Sequence, residues 1–408
     1  MDGEMSASVA SSGRPVSVAG MSRGPVTWYC YLALGFFTYL LNIQGNILPF
    51  LKAELDLSYR AVSLHSSAIA AGLIAVGLLG DRVIRRIGRR RALQLGTAGI
   101  SAGAILLCLA PAAWASIGSC ALMGVLGGLI PAIVPAVLGE SHGEDGRDVA
   151  YAEATAICYA FGILGPLTTA LFVAVAVGWR GVVLLGAAFG FLILARFSRT
   201  VLPDPPQAAT SGRAGLPAAY WAYWALIAAV VAIEFCVLIW APEFLERIAG
   251  LPRAWAAGSA AAFSLAMLLG RVGASRIVRR VAPRRLLLAA LLVTVLGFLL
   301  YWGGGQPLAV VVGLFVLGLG VAPLYPLGLG FAIGAAGAHS GTASARVMLA
   351  VGLAVLITPA VLGGLADEVG LRLAYLVLPA LVVAALACLA AGQALQQRTG
   401  SGADRRKA

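Results

Sequence analysis

Apolar residues in this chain run together for about twenty positions at a time, without the alternation of a half-buried strand, and such runs recur about twelve times. A helix of that length crosses about 30 Å of hydrocarbon, so the pattern predicts an all-α integral membrane protein with twelve transmembrane helices. They are expected near residues 27–51, 62–80, 92–111, 113–138, 149–177, 180–199, 218–245, 254–274, 286–303, 306–336, 343–365 and 372–392. The longest polar interruption, Arg196 to Pro217, holds Pro203, Pro205, Pro206, Ser211 and Gly212 and divides the chain near its middle. The predicted organisation is a tail over 1–26, a six-helix bundle over 27–200, a linker over 201–217, a second bundle over 218–392 and a tail over 393–408.

Composition agrees with lipid as the solvent, since 60% of the 408 residues are hydrophobic and 11% charged. Asp2 and Glu4 precede any apolar stretch, so no cleaved secretory signal is expected. The formal charge of +12 would suggest nucleic acid in a soluble protein, but topology accounts for it. With both tails in the cytoplasm, all but six of the 29 Lys and Arg lie on the cytoplasmic side; the exceptions are Lys52, Arg60, Arg180, Arg247, Arg253 and Arg372. The Arg clusters would then meet anionic lipid headgroups. The expected location is the plasma (inner) membrane, multi-pass, as a monomer without a nucleic-acid partner. The six cysteines all fall in apolar runs without ligand spacing and read as small buried hydrophobes.

The chain also repeats itself. Arg82-Val83-Ile84-Arg85-Arg86-Ile87-Gly88-Arg89-Arg90-Arg91-Ala92-Leu93 returns 194 residues later from Arg276 to Leu287, with six of the twelve positions identical. Val177-Gly178-Trp179-Arg180 returns as Val369-Gly370-Leu371-Arg372, and Tyr31, Ala33 and Leu34 match Tyr223, Ala225 and Leu226. An offset of six helices preserves orientation, so the halves are parallel repeats about an axis along the membrane normal.

The stretch Gly77-Leu78-Leu79-Gly80-Asp81-Arg82, the cluster Gly88-Arg89-Arg90-Arg91 and its degenerate second copy resemble the signature between the second and third helices of the major facilitator superfamily. Three extra residues separate its parts here. The resemblance covers nearly the whole chain. It implies the fold of that family, alternating access around a central cavity, and first and seventh helices that line the cavity. It further implies that Asp81, beside Arg82, caps the eleventh helix or pairs with Arg346, and that the fifth helix faces the eighth and brings Glu153 toward Arg271. These two cytoplasmic latches are expected to form outward-open and break inward-open. Gly162-Ile163-Leu164-Gly165-Pro166 is similar to the family's drug-antiporter motif without its closing glycine pair. The arginine that many proton-coupled exporters carry in the fourth helix is replaced by Ala121 or a neighbour.

Ionisable groups at membrane depth are costly and mark function. Glu234, about fifteen residues into the seventh helix, is the leading candidate; the repeat places Asn42 at the matching point of the first helix, with Asn46 on the same face and Gln44 turned aside. By the resemblance these residues face one another across the cavity, where a desolvated Glu234 would carry the coupling proton or balance a cation. Tyr39, Tyr159, Trp224, Phe263 and Tyr325 are candidates to line the cavity, and a lone His65 near the outer face reads as interfacial. No arginine stands clearly at mid-depth, which disfavours a multiply anionic substrate. Pro131, Pro135, Pro166, Pro323, Pro326 and Pro359 are expected hinges.

The sequence therefore predicts a secondary transporter without cofactor or metal, driven by the proton gradient and exporting a small organic or drug-like molecule. Uptake of a sugar or small organic acid by proton symport is the alternative. A polytopic enzyme would need clustered acids with metal spacing or a nucleophile with a base, and an ATP-driven pump a phosphate-binding loop; none is present. A transporter-like sensor would need a sizeable soluble segment, and the tails are short.

Overall fold

Inside hydrocarbon each backbone N–H and C=O must find its partner within the segment, which leaves helix as the form for these apolar runs. The computed structural model describes residues 23–203, 216–278, 280–337 and 340–404. Among them twelve helices are long and apolar enough to cross a membrane: α1 (Pro25–Glu54), α2 (Tyr59–Ile87), α3 (Arg89–Leu109), α4 (Ala113–His142), α5 (Val149–Ala174), α6 (Trp179–Phe197), α7 (Ala218–Arg247), α8 (Arg253–Ile277), α9 (Pro283–Gly303), α10 (Pro307–Ala336), α11 (Arg346–Val369) and α12 (Leu371–Gln397). An even number of crossings places both ends of the bundle and the linker on one face, called here the terminal face. The tail over 1–22 and most of the linker lie outside the described residues, and helical backbone continues past the expected end of α12 to Asp404.

The helices overrun their apolar cores, because arginines favour helix and need only project into a polar layer. Thus α2 continues through Asp81 and the Arg cluster to Ile87, and the turn into α3 is the single residue Gly88 with φ +81°. Helical backbone also joins α4 to α5, yet it doubles back there: the Tyr151 hydroxyl donates to the Pro135 carbonyl at 2.9 Å, whereas sixteen residues of straight helix would span about 24 Å.

The sequence repeat is a repeat of backbone and contacts. Gly178 and Gly370 precede α6 and α12 with φ of +80° and +84°, a conformation that favours glycine. Just beyond each, an arginine bonds the end of a neighbouring helix: Arg180 Nε donates to the Cys108 carbonyl at 3.0 Å, and Arg372 Nη2 to the Trp302 carbonyl at 3.3 Å. Within the first half, Arg89 is buried and forms a bidentate pair with Glu140 at 2.5 and 2.8 Å, while Arg90 donates to the Ser198 carbonyl. These two arginines of the signature tie the start of α3 to the ends of α4 and α6.

The halves meet most tightly toward the face opposite the termini. A Cβ on Gly45 of α1 would stand 2.5 Å from the Leu238 carbonyl oxygen of α7, so α1 and α7 approach to a distance that a side chain would prevent. Beyond that crossing, Lys52 of α1 pairs with the buried Glu243 of α7 at 3.5 Å. The Lys52 ammonium lies 3.7 Å from the centre of the Tyr59 ring, whose other neighbour is Trp240. The first turn of α2 is capped from both halves. Ser58 Oγ of its own half accepts from Ala61 N at 3.1 Å, and the Asp367 carboxylate of α11 accepts from Tyr59 N and Arg60 N at 2.7 and 2.8 Å. Three of the four N–H groups that precede the first helical bond are thereby satisfied, two of them by the other half.

An N-cap acid contributes about 1 kcal/mol, so removing it should shift the opening of this face about fivefold. Asp367→Ala is expected to raise by that factor the labelling rate of a cysteine at Ser67, whose hydroxyl bonds the Leu356 carbonyl across the seam. Gly45→Ala should raise it further, because its Cβ meets backbone. Labelling by a membrane-impermeant maleimide is the measurement, and unchanged rates in both variants would show that these contacts do not hold the face shut.

Candidate functional site

Side chains of a helix lean toward its N-terminus. Glu234 of α7 therefore leans toward the terminal face, and Arg271 of the antiparallel α8 leans away from it, into the membrane. They converge: Arg271 Nη2 lies 3.5 Å from Glu234 Oε1, with side-chain exposures of 29% and 21%. The family resemblance implies a cytoplasmic latch between Arg271 and Glu153; in the structure the long stem of Arg271 carries its guanidinium to Glu234 instead.

Proline supplies the second contact. Ala322 in α10 would ordinarily give its carbonyl to the N–H of residue 326, but Pro326 has none. Arg271 Nε takes that acceptor at 3.2 Å. The segment around Ala322 and Pro323 interrupts the regular helix. The site is completed across the seam by α5: the Arg271 guanidinium stands 5.2 Å from the centre of the Tyr159 ring, and the Tyr159 hydroxyl is buried without a hydrogen-bond partner. Tyr325 follows on α10 three residues after Ala322 and is half-buried. Groups from both halves thus surround one partly exposed ion pair.

The expected polar cluster is rearranged. Asn42 donates to the Thr38 carbonyl and stands against Gly162 and Gly165 of α5, and Asn46 donates to the Asn42 carbonyl. Asn46 Oδ1 and Gln44 Nε2 are buried without partners. Glu234 takes its polar partner from α8 and not from α1. Two candidate aromatics leave the site: Tyr39 is buried with its hydroxyl on Thr168 Oγ1, and Phe263 packs against Gly318. Trp224 braces the start of α11 by donating to the Arg346 carbonyl. His65 is fully buried within the protein, with Nε2 2.8 Å from Ser116 Oγ, and fastens α2 to α4. Of the cysteines, Cys30, Cys108, Cys120 and Cys236 are buried and Cys158 and Cys388 half-buried, all as free thiols.

Neither expected latch is made among the described residues in this conformation. Glu153 is held within its own half by Arg23 and Tyr31 at 2.5 and 2.9 Å, and Arg271 is engaged by Glu234. Asp81 and Arg82 are exposed at the end of α2, while the Arg346 guanidinium lies over the Trp221 ring at 5.5 Å. What sequence reasoning missed is the opposite face: Lys52, Tyr59, Glu243 and Asp367 bind the halves there. The signal available was weak, an acid beside Pro242 and an acid pair closing α11.

Comparison with known proteins places this arrangement. The Major Facilitator Superfamily model matches residues 29–283 and 257–405. A stretch of 111 residues, 25% of this chain, is 32% identical to the multidrug efflux pump LfrA of Mycolicibacterium smegmatis and spans 21% of that pump. Among solved structures, a variant of the nucleoside transporter NupG superposes with a TM-score of 0.75 at 13% identity, covering 90% of this chain and 98% of that one. The peptide transporter POT in complex with sulfate gives 0.70 at 19%, covering 93% and 96%. A bacterial homologue of the human lysosomal transporter Spinster, inward-facing and occupied, gives 0.71 at 16%, covering 92% and 98%. At such identities these structures share the fold, and with the family match across both halves the chain belongs to the Major Facilitator Superfamily.

Proposed function

We propose that this membrane transporter is a proton-coupled secondary carrier that moves a small organic molecule by rocking its halves about the Glu234–Arg271 site. The observation that carries this reading is the ion pair itself. Two charges have been taken out of water at the seam, where apolar residues of similar volume would pack at least as stably. Their side chains keep 29% and 21% exposure, which supports reading this part of the seam as a space open to a ligand. A carboxylate so placed is suited to bind and release a proton as that space changes sides.

The distribution of Lys and Arg supports a cytoplasmic terminal face in the plasma membrane. The closed face is then external and the conformation inward-open, which suits the absence of both cytoplasmic latches among the described residues. Export of a drug-like molecule is supported by the stretch related to the efflux pump LfrA. The second reading, proton symport of a small organic acid, is favoured by Arg271, whose charge would repel a cation and attract an acid.

Purified protein in liposomes carrying an internal pH-sensitive dye, screened against organic acids, amines and neutral compounds, should show substrate-dependent proton movement. Glu234→Gln should reduce that movement to the leak level while leaving exchange of labelled substrate intact. Undiminished coupling in the variant would remove Glu234 from the mechanism.

The remaining latch has its own test. Asp81→Arg and Arg346→Asp should each slow transport severalfold, and the double exchange should recover much of the loss. No recovery in the exchanged protein would break the pairing.

A further inference from the structure

The arginine at the site is poorly used. A guanidinium has five N–H donors in a planar fork. Arg271 spends one of them on the Ala322 carbonyl and meets Glu234 only at 3.5 Å, a charge contact without an aligned hydrogen bond. The Tyr159 ring that the guanidinium faces at 5.2 Å carries a buried hydroxyl without a partner, and buried polar groups are ordinarily satisfied. Unspent donors and an orphaned hydroxyl, one group from each half, describe a place for an acceptor-rich ligand that touches both halves at once.

We infer that this site takes an organic anion, whose carboxylate, or an oxyanion of the same bidentate geometry, docks on Arg271 and the Tyr159 hydroxyl while an apolar or aromatic body lies along the Tyr159 and Tyr325 rings. The inference rests on the proposed reading of the seam as the transport site. The fork of Arg271 matches two coplanar oxygens, and a second, better aligned acceptor displaces the loosely held Glu234.

Charge then decides what accompanies the anion. Two carboxylates within reach of one guanidinium in a low-dielectric space do not both stay ionised, so the displaced Glu234 takes up a proton as the anion docks. The empty site holds one positive and one negative charge, and so does the loaded site. The balance is unchanged, and neither form carries an uncompensated charge while the halves rock. An anion and a proton therefore occupy the site together and cross in the same direction. A cation meets Arg271 and is repelled, and a neutral molecule leaves the pair in place.

The test uses the full chain in lipid nanodiscs and three probes of equal size and different charge: 2-naphthoate, 2-naphthamide and 2-naphthylmethylamine, each titrated calorimetrically between pH 5.5 and pH 8. Naphthoate is expected to bind about tenfold or more tightly than the amine, and its affinity to rise toward tenfold for each unit fall in pH, the signature of one proton bound with the anion. Arg271→Gln should lose that preference, with circular dichroism and monodispersity reporting an intact fold. Glu234→Gln should keep naphthoate affinity and lose its pH dependence, which supplies a gain-of-binding check at pH 8. The amine binding as tightly as the acid, naphthoate affinity unmoved by Arg271→Gln, or no naphthoate binding by the parent protein would each overturn the inference. Failure of the anion and failure of the carrier reading are separable. Proton movement driven by an amine or neutral compound and abolished by Glu234→Gln keeps the carrier and overturns the anion. Naphthoate binding of the expected pH dependence without proton movement in liposomes keeps the anion site and overturns the coupling.

Discussion

A charge in hydrocarbon has to be answered by another, and in this molecule the answer comes from the neighbouring helix. Glu234 and Arg271 sit on antiparallel α7 and α8 and lean toward each other. The rest of the site follows from that pairing. A carbonyl of α10 that Pro326 cannot bond faces the guanidinium, and the ring of Tyr159 from the other half lies against it. The same burial that makes the pair expensive makes its protonation state sensitive to whatever enters the seam.

Closure of one face is built from modest contacts. Asp367 caps the first turn of α2 across the seam, Lys52 bridges to Glu243, and Tyr59 lies between Lys52 and Trp240. Each contributes of order 1 kcal/mol, and together with the close approach at Gly45 they bias an equilibrium without freezing it. The proposed alternating access requires that scale, since a face sealed by a large dry interface would not reopen on a ligand's binding energy. Asp81 stands at the other end of the same helix, exposed while Asp367 is engaged.

The repeat shows which features belong to the fold and which to the task. Gly178 and Gly370 share a left-handed φ, and Arg180 and Arg372 share a bond to the end of a neighbouring helix. Those features hold each six-helix bundle together and recur. The charged site does not: it lies on α7, α8 and α10 of the second half, and the first half contributes an aromatic ring. The two bundles are alike as scaffolds and unlike in the charged groups they turn toward the seam.

The sequence by itself determined the twelve crossings, their order, the two parallel halves and the family, because the length of an apolar run and the requirement for internal hydrogen bonds leave little choice in lipid. It also singled out Glu234, since an acid in an apolar run has few structural reasons to be there. Only the tertiary structure decided what Glu234 meets. Asn42 and Asn46 lie at the matching depth of the matching helix yet turn to α5 and to their own backbone, while Arg271, six residues from the end of α8, reaches the acid. Likewise Glu153 bonds Arg23 and Tyr31 of its own bundle, and Asp367 caps a helix more than three hundred residues away in sequence. Sequence period fixes which helix carries a charge, but the partner depends on helix crossing, on the lean of side chains and on which face of the seam is closed, and those are settled only when the two halves pack.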